Sequence, residues 1–517
     1  EGSRMKATGT QPIPLTNLRG VIQAIDQLPA SLEHATAASR DARFGSIFLA
    51  YPGAVRDGRA FIDDAITRGA SAVMYEATGE FRWNDAWRVP HVAVTNLKQF
   101  ASAMGAHVYS HPSNELWMVG VTGTNGKTSV SQWIAQSLEM AGRRSAVLGT
   151  IGNGLLGALT TADNTTPDAV LLQRYLRDFV TSGAATCAME VSSHGLDQGR
   201  VSDVKYDVAV FTNLTRDHLD YHGTMEAYGE AKAKLFALRG LKTAVVNVDD
   251  PFGRELAGRS ERRGVDVIRY ATKTGSKFAN LIAHDIAVTS AGLSFTVQSL
   301  DANGLTTDEA QVETDILGAF NASNLLAVMG CLKASGVAIA TAASIVGRLA
   351  PVTGRMQKVR AAINAANKPL VVVDYAHTPD ALEKVLSTVS AIVPDKGRLI
   401  CVFGCGGNRD TGKRPLMGAI SGRYADFTIL TSDNPRTEDP AKILADIGAG
   451  IGAAPHHTVV DRHQAIFEAL DLAVANDVVV IAGKGHEDYQ IIGETKRHFS
   501  DVEVALEALS VWKGRTE

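Results

Sequence analysis

A run of residues suited to phosphate lies between a strand-like segment and an amphipathic one: Val119-Gly120-Val121-Thr122-Gly123-Thr124-Asn125-Gly126-Lys127-Thr128-Ser129. Glycines let such a backbone turn its N–H groups inward, and the helix that follows adds positive potential at its N-terminus. Lys127 can reach terminal phosphates and Thr128 can hold a Mg²⁺ ion. The strict pattern G-x-x-x-x-G-K-[ST] is not met, because Val121 stands at its first glycine. The loop therefore points to a nucleoside triphosphate and leaves open what its energy is used for.

Further charged residues fall where apolar runs end. In Ala188-Met189-Glu190-Val191-Ser192-Ser193-His194, Glu190 closes a strand-like run. A carboxylate there is costly to bury unless a cation compensates, and Mg²⁺ beside phosphates is the obvious partner. Thr212-Asn213-Leu214-Thr215-Arg216-Asp217-His218-Leu219-Asp220 offers His218 as a metal ligand, although a lone histidine is more often a packed or surface residue. Lys232, in Tyr228-Gly229-Glu230-Ala231-Lys232, reads by itself as a solvated helix lysine. Nearer the C-terminus, Val373-Asp374-Tyr375-Ala376-His377-Thr378-Pro379, Gly404-Cys405-Gly406-Gly407-Asn408-Arg409-Asp410, Asp433-Asn434-Pro435-Arg436 and Gly483-Lys484-Gly485-His486-Glu487 each follow an apolar run. Arg409 and Arg436 can grip a carboxylate as a fork, while Glu487 and Asp433 can receive an ammonium group. Together they suit a zwitterionic amino acid with more than one carboxylate. Any one of them alone could be a surface ion pair of little worth.

Such segments need strands that end side by side. The chain has 517 residues, and at roughly 150 residues per domain that length predicts about three units. The expected class is α/β: a small N-terminal α/β domain over 1–97, a central P-loop-type ATPase domain with a mainly parallel sheet over 98–350, and a C-terminal Rossmann-like open α/β domain over 351–517. Strands are expected at Ala72 to Tyr75, Trp117 to Val121, Ala146 to Leu148, Thr186 to Met189, Val208 to Thr212 and Ala244 to Val248, mostly with helical patterns between them. Alternation from Leu281 to Val297 predicts an antiparallel extension. In the third unit the expected strands are Leu370 to Val373, Leu399 to Phe403, Phe427 to Leu430, Thr458 to Val460 and Val478 to Ile481. Ligands of such sheets bind beyond the carboxyl ends of the strands, where the unusual residues lie.

Composition narrows the class. Lys plus Arg is 51 and Asp plus Glu is 55, a net charge of −4 that argues against a nucleic-acid binder. Apolar residues make up 45%, too many for a disordered chain. No apolar run reaches the roughly 18 residues that span a bilayer, and no membrane partner is expected. Cys187, Cys331, Cys401 and Cys405 are irregularly spaced and read as reduced packing residues of a cytoplasmic protein. Glu1-Gly2-Ser3-Arg4 reads as a short appended segment before a native Met5.

Four motifs, taken in order, resemble those of the muramyl-peptide (Mur) ligases: Thr122-Gly123-Thr124-Asn125-Gly126-Lys127-Thr128, Glu190-Val191-Ser192-Ser193-His194-Gly195-Leu196, Thr212-Asn213-Leu214 with Asp217-His218-Leu219-Asp220, and Asp374-Tyr375-Ala376-His377-Thr378-Pro379. The likeness runs over nearly the whole chain. It implies an ATP-dependent amide ligase of peptidoglycan precursor synthesis that adds meso-diaminopimelate to UDP-N-acetylmuramoyl-L-alanyl-D-glutamate through an acyl phosphate. Asp433-Asn434-Pro435-Arg436 matches the motif of diaminopimelate users, and lysine-adding relatives depart from it at the arginine. The chemistry agrees, since diaminopimelate differs from lysine by a second carboxylate.

The resemblance also implies roles. Gly123 to Ser129 would bind ATP phosphates, and Thr128, Glu190, His218 and a carbamylated Lys232 would surround two Mg²⁺ ions. Asn321 and Asn324 match an adenine-side motif, and Arg355 an arginine that approaches the phosphates from the third domain. Asn164, Thr165, Thr166, Ser192, Gln198 and Arg200 match contacts to the muramoyl dipeptide; Ser39 matches a uridine-side contact, and the 53–56 loop a uridine-diphosphate contact. Arg409, Asp433, Asn434, Arg436, Gly483 and Glu487 match the diaminopimelate pocket. The attacking amine must lose a proton, to His377 or Asp374. A monomer whose domains close over the substrates is expected. Rival readings are a lysine-adding relative, a folylpolyglutamate synthase, an ATP-sensing binding protein and a P-loop kinase acting on a hydroxyl.

Overall fold

A computed structural model of the chain describes residues 13–29, 31–53, 56–162, 164–272, 278–360 and 368–514. It contains three main sheets. The first is wholly parallel, with β1 (His34–Thr36), β2 (Ser46–Ala50), β3 (Ala72–Glu76) and β4 (His91–Val94) side by side in that order. The helix Leu97–Val108 packs Leu97, Ala101 and Met104 onto this sheet, so the core of the first unit runs past residue 97.

The second sheet has eleven strands. In chain order they are β5 (Trp117–Thr122), β6 (Ser145–Gly149), β7 (Gly152–Leu155), β8 (Ala158–Thr160), β9 (Thr186–Glu190), β10 (Val208–Phe211), β11 (Thr243–Asn247), β12 (Asp266–Ala271), β13 (Leu281–Val288), β14 (Leu293–Leu300) and β15 (Thr306–Thr314). Their spatial order is β15-β14-β13-β12-β11-β10-β5-β9-β6-β7-β8, parallel from β13 to β6 and antiparallel at both ends. The expected antiparallel extension therefore begins at the β13–β14 pair. Central strands are covered on both faces, which is why they read as unbroken apolar runs and not as alternating ones. Val119 and Val121 pack on one face with Trp133 and Ile134 of the helix Lys127–Met140, while Met118, Ala146 and Met189 pack on the other.

The third sheet comprises β16 (Gln357–Val359), β17 (Leu370–Asp374), β18 (Leu399–Phe403), β19 (Phe427–Leu430), β20 (His456–Thr458) and β21 (Val478–Ala482), in the order β16-β17-β21-β18-β19-β20. All but the β16–β17 pair are parallel. The fourth strand expected, Thr458 to Val460, lies two residues earlier, at β20. It is a short edge strand of exposed residues, so burial gives no pattern to fix its register. A separate hairpin, β22 (Tyr489–Ile492) and β23 (Thr495–His498), follows.

Parallel pairing puts the carboxyl ends of β10, β5, β9 and β6 at one edge of the central sheet, and those of β17, β21, β18 and β19 at one edge of the third. This is the α/β class expected from the sequence, and each group of chemically unusual segments is gathered at one of these two edges.

Candidate functional site

A cleft of about 700 Å³ is lined from both sheets: Thr124 to Ser129, Glu190 and Lys232 on the central side, Arg355, Asp374 and His377 on the C-terminal side. The phosphate loop leaves β5 with Gly123 at φ +146°, where a Cβ would collide with the Thr212 hydroxyl. Gly126 follows at φ +87°, and a Cβ there would stand 2.6 Å from Asn324 Oδ1. Asn324 and Asn321 thus sit directly behind the loop, joined by a 2.8 Å hydrogen bond from Asn324 Nδ2 to Asn321 Oδ1. The Lys127–Met140 helix begins without a side-chain cap, which leaves first-turn amides open to a ligand. Asn213 shapes the loop from β10, accepting from the Thr124 N–H with its carbonyl and from the Asn125 N–H with its side chain.

Gly123 is not in the cleft wall. Its carbonyl oxygen lies behind, where it accepts from both Lys127 Nζ and Lys232 Nζ at 2.9 Å. Lys232 is buried and its ammonium lies 4.2 Å from the centre of the Tyr228 ring. Burial, then the Lys127 charge, holds its pKa well below the usual lysine value. Lys127 is lowered too, again chiefly by burial. Lys232 was expected as a solvated lysine from its local sequence; the helix Met225–Ala233 instead turns it inward beside the loop.

Glu190, at the end of β9, accepts from the Thr128 hydroxyl (2.9 Å), the Thr150 N–H (2.8 Å) and the Thr150 hydroxyl (3.0 Å). Thr128 also accepts from Arg355 Nη2 at 3.1 Å. Arg355 stacks over Tyr375 at 4.4 Å, and its buried Nε has no partner among the described residues. An orphaned guanidinium N–H beside open helix amides and two lysines fits a polyanion. Thr128 and Glu190 suit a hard cation. His218, in a left-handed turn at φ 53° beside Asp217, is exposed at the cleft wall. Among the described residues no three His, Cys, Asp or Glu side chains form a ready metal cage, so any ion here would need oxygens from its ligands.

Asp374 ends β17 with both carboxylate oxygens engaged, accepting from the Met356 N–H at 2.7 Å and the Ala376 N–H at 2.8 Å. Of the two expected proton acceptors, it is the one committed to bracing the backbone. His377 Nδ1 meets the Tyr375 carbonyl oxygen at 2.9 Å. A carbonyl can only accept, so Nδ1 carries the proton and Nε2 keeps its lone pair. The ring is exposed at the cleft wall; the protein packed around that wall and the Lys413 charge lower its pKa, which leaves the ring neutral at pH 7.

The second cluster lies beyond β18, β19 and β21. Arg436, at φ 52°, donates from Nη1 to the Gly407 carbonyl (2.9 Å). Its backbone pairs with Ile491 and Gly493, tying the loop to the β22–β23 hairpin. Asn434 Nδ2 donates to Glu487 Oε2 (2.9 Å). Asp433 Oδ1 accepts from the Asn434 N–H (2.7 Å), and Oδ2 lies 2.7 Å from where a Cβ on Gly483 would be. Pro435 turns the chain between Asn434 and Arg436, with its carbonyl against Gly407. Arg409 is exposed at the rim. Behind this wall the fully buried Arg462–Asp501 pair holds the Ser432 and Ala482 carbonyls.

The remaining expected residues form a third group. Thr166 is buried, accepting from the Ser192 N–H and donating to the Glu190 carbonyl. Arg200 donates to the Thr166 carbonyl and to Gln198 Oε1. Thr165 bonds the Thr150 hydroxyl, Ser192 caps the helix Ser193–Asp197, and Asn164 is exposed. Ser39 opens a short turn of the first unit and is not in the cleft wall. In the 53–56 loop, Ala54 and Val55 lie outside the described residues. Sequence reading missed Thr150 and quoted Asn213 and Lys484 within their motifs without giving either a role; all three come shortly after the end of a buried strand.

Comparison with known proteins agrees with this architecture. The family model for the Mur ligase middle domain matches residues 121–332, and that for the Mur ligase glutamate ligase domain matches 354–485. A UDP-N-acetylmuramoyl-L-alanyl-D-glutamate--2,6-diaminopimelate ligase from Chromobacterium violaceum is 49% identical over 491 residues, 95% of this chain and 97% of the relative. The same-named protein of Pseudomonas aeruginosa is 48% identical over 482 residues, 92% and 95% of the two chains. A solved structure of a ligase of that name superposes with a TM-score of 0.66 at 38% identity, covering 93% of this chain and 95% of its own.

Proposed function

Because this chain belongs to the Mur ligase family, we propose that it is the ATP-dependent, ADP-forming ligase that joins meso-diaminopimelate to UDP-N-acetylmuramoyl-L-alanyl-D-glutamate in peptidoglycan precursor synthesis. The observation that supports the choice of amino acid is the Asp433-to-Arg436 loop held against Glu487, with Asn434 hydrogen-bonded to it and Arg436 anchored on the neighbouring Gly407 loop. A diamine with two carboxylates offers a partner for Arg436 that lysine does not. The segment 1–97 would take the uridine diphosphate, 98–350 the ATP, and 351–517 the amino acid.

The D-glutamyl γ-carboxylate oxygen attacks the γ-phosphorus of ATP; the O–P bond to ADP breaks and an acyl phosphate forms. The diaminopimelate amine then attacks the acyl carbon, the carbon–oxygen bond to phosphate breaks, and the amine proton passes to a base. Lys127, the open helix amides and Arg355 offset the repulsion between two anions in the first step. Mg²⁺, held by Thr128, Glu190, His218 and a carbamate on Lys232, would supply further charge stabilisation when bound. The depressed pKa of Lys232 supports the carbamate, since only the neutral amine adds to CO₂. His377 Nε2, which keeps its lone pair, would take the amine proton. The first domain, Ser39 and the Asn164–Arg200 group would orient the nucleotide-linked dipeptide.

The test supplies each candidate amino acid in turn with ¹⁸O in the γ-carboxylate. The expected result is a precursor extended in mass by diaminopimelate and ¹⁸O in the released phosphate. Extension by lysine at equal rate would remove the assigned specificity, and unlabelled phosphate would remove the acyl-phosphate step.

A further inference from the structure

The amino-acid pocket is made of two loops that are remote in sequence, the one after β19 and the one after β21. Hydrogen bonds such as Asn434 to Glu487 join them, and a buried ammonium sits at that junction. Lys484 is fully buried, and its Nζ donates to Glu487 Oε2 at 2.9 Å and to Asn434 Oδ1 at 3.3 Å, with the Tyr489 ring centre 5.3 Å away. Asn434 is thereby fixed at both ends. Its Oδ1 accepts from Lys484 and from the Ile491 N–H (2.9 Å), and its Nδ2 donates one hydrogen to Glu487 Oε2. An amide with two donors aimed at its oxygen cannot flip, so one Nδ2 hydrogen is left to donate outward. Glu487 Oε2 takes the Asn434 and Lys484 donors, with the Tyr489 hydroxyl also beside the carboxylate, and Oε1 is the oxygen we assign to a ligand cation.

We propose that Lys484 is the positioning residue of the amino-acid pocket: its buried ammonium orients Asn434 and Glu487 so that one N–H and one carboxylate oxygen face the amino-acid head of the diamine. This rests on the reading of that pocket given above. Lys484 itself touches no substrate. A lysine that only held the fold would cost stability when replaced and leave the use of each substrate in proportion. A positioning lysine alters the handling of one substrate alone.

The experiment is initial-rate kinetics on the full-length enzyme with each of the three substrates varied. Wild type, Lys484→Met and Lys484→Arg are compared, with ADP binding and thermal unfolding as checks on folding. In Lys484→Met the KM for meso-diaminopimelate is expected to rise about tenfold to a hundredfold, while the KM values for ATP and the nucleotide-linked dipeptide stay put. Lys484→Arg recovers part of the loss, because a cation still meets Glu487. Equal shifts in all three KM values, a fall in kcat alone, or no change would overturn the proposal. If Lys484→Met does not fold, Lys484→Met with Glu487→Gln, which leaves no stranded charge, is measured against Glu487→Gln alone. A further rise in the diaminopimelate KM supports the proposal; an equal KM, or failure of the pair to fold, overturns it. Wild-type turnover with meso-diaminopimelate is measured first. Its absence removes the functional reading and this proposal with it, whereas its presence with an unshifted KM in the variant removes this proposal alone.

Discussion

Lys232 in the cleft and Lys484 among the loops after β19 and β21 are equally buried, 1% and 0% exposed, but they differ in what surrounds them. Lys232 finds a carbonyl that Lys127 also uses, and the charge of Lys127 works against it. Lys484 finds a carboxylate and an amide oxygen. Glu190 and Asp217 also line the cleft and act on the lysines through space, but neither lysine hydrogen-bonds to a carboxylate, whereas Lys484 is paired directly with Glu487. Burying an uncompensated cation costs free energy, and a ligand anion relieves that cost when it binds. The contrast separates two ways of making a site. Under the proposed function, the phosphate end would be built for a change in charge and the amino-acid end for a fixed shape.

The sharpest probe of the contrast is Lys127→Ala. It is expected to lower kcat by about a thousandfold or more without lowering the melting temperature of the ligand-free enzyme, read by ADP release and by calorimetry. A variant that lost stability as well would show that the loop lysines already have adequate partners. Next in size is the paired replacement of the two buried lysines. Lys484→Met strands Glu487 and is expected to destabilise the C-terminal unit by roughly 3–5 kcal/mol. Lys232→Met, in bicarbonate-free buffer, is expected to stabilise the central unit by about 1 kcal/mol, a rise of about 2–4 °C. Shifts of the same sign would break the comparison.

The strands around both sites were legible because buried parallel strands are unbroken apolar runs, and because chemistry collects at their ends. β18 and β19 have the expected bounds, and β5, β9, β17 and β21 gain one residue at their ends. The β7–β8 hairpin was not legible, since Gly152, Gly154 and Gly157 give it no side-chain pattern. Nor was the inward turn of Lys232, whose helix is apolar and polar in no clear stripe. Pairings such as Thr128 with Glu190, or Asn434 with Lys484 and Glu487, join segments whose adjacency comes from strand order. Local spacing is silent about strand order. The family resemblance carried the site residues further than spacing did, but it left out Lys484 and Thr150, which act on the named residues from behind.

The smallest effect separates the two regions by pH. His486 lies beside Tyr375 with ring centres 5.0 Å apart, and its buried Nδ1 has no partner among the described residues. Burial, then the Arg355 charge, pushes its pKa from 6.5 to about 4; Lys484 and His377 act the same way, and Asp488 opposes them. The unfolded chain takes up this proton near pH 6.5 and the folded chain only near 4, so its contribution to stability is whole above the first value and declines as the pH falls toward the second. A shift of this size is worth at most about 3 kcal/mol, and partial exposure lowers that ceiling. Lys232 has the same sign in a different window: its pKa is also depressed, so stability is gained as the pH rises toward the ordinary lysine value of 10.5. His486→Phe keeps a ring against Tyr375 and removes the proton site. Melting curves of wild type and His486→Phe should therefore draw apart in favour of the variant as the pH is lowered from 7 to 4.5, while Lys232→Met should track wild type over that acid range. Curves for His486→Phe that ran parallel to wild type would mean that the pocket histidine is already matched by its surroundings in both protonation states.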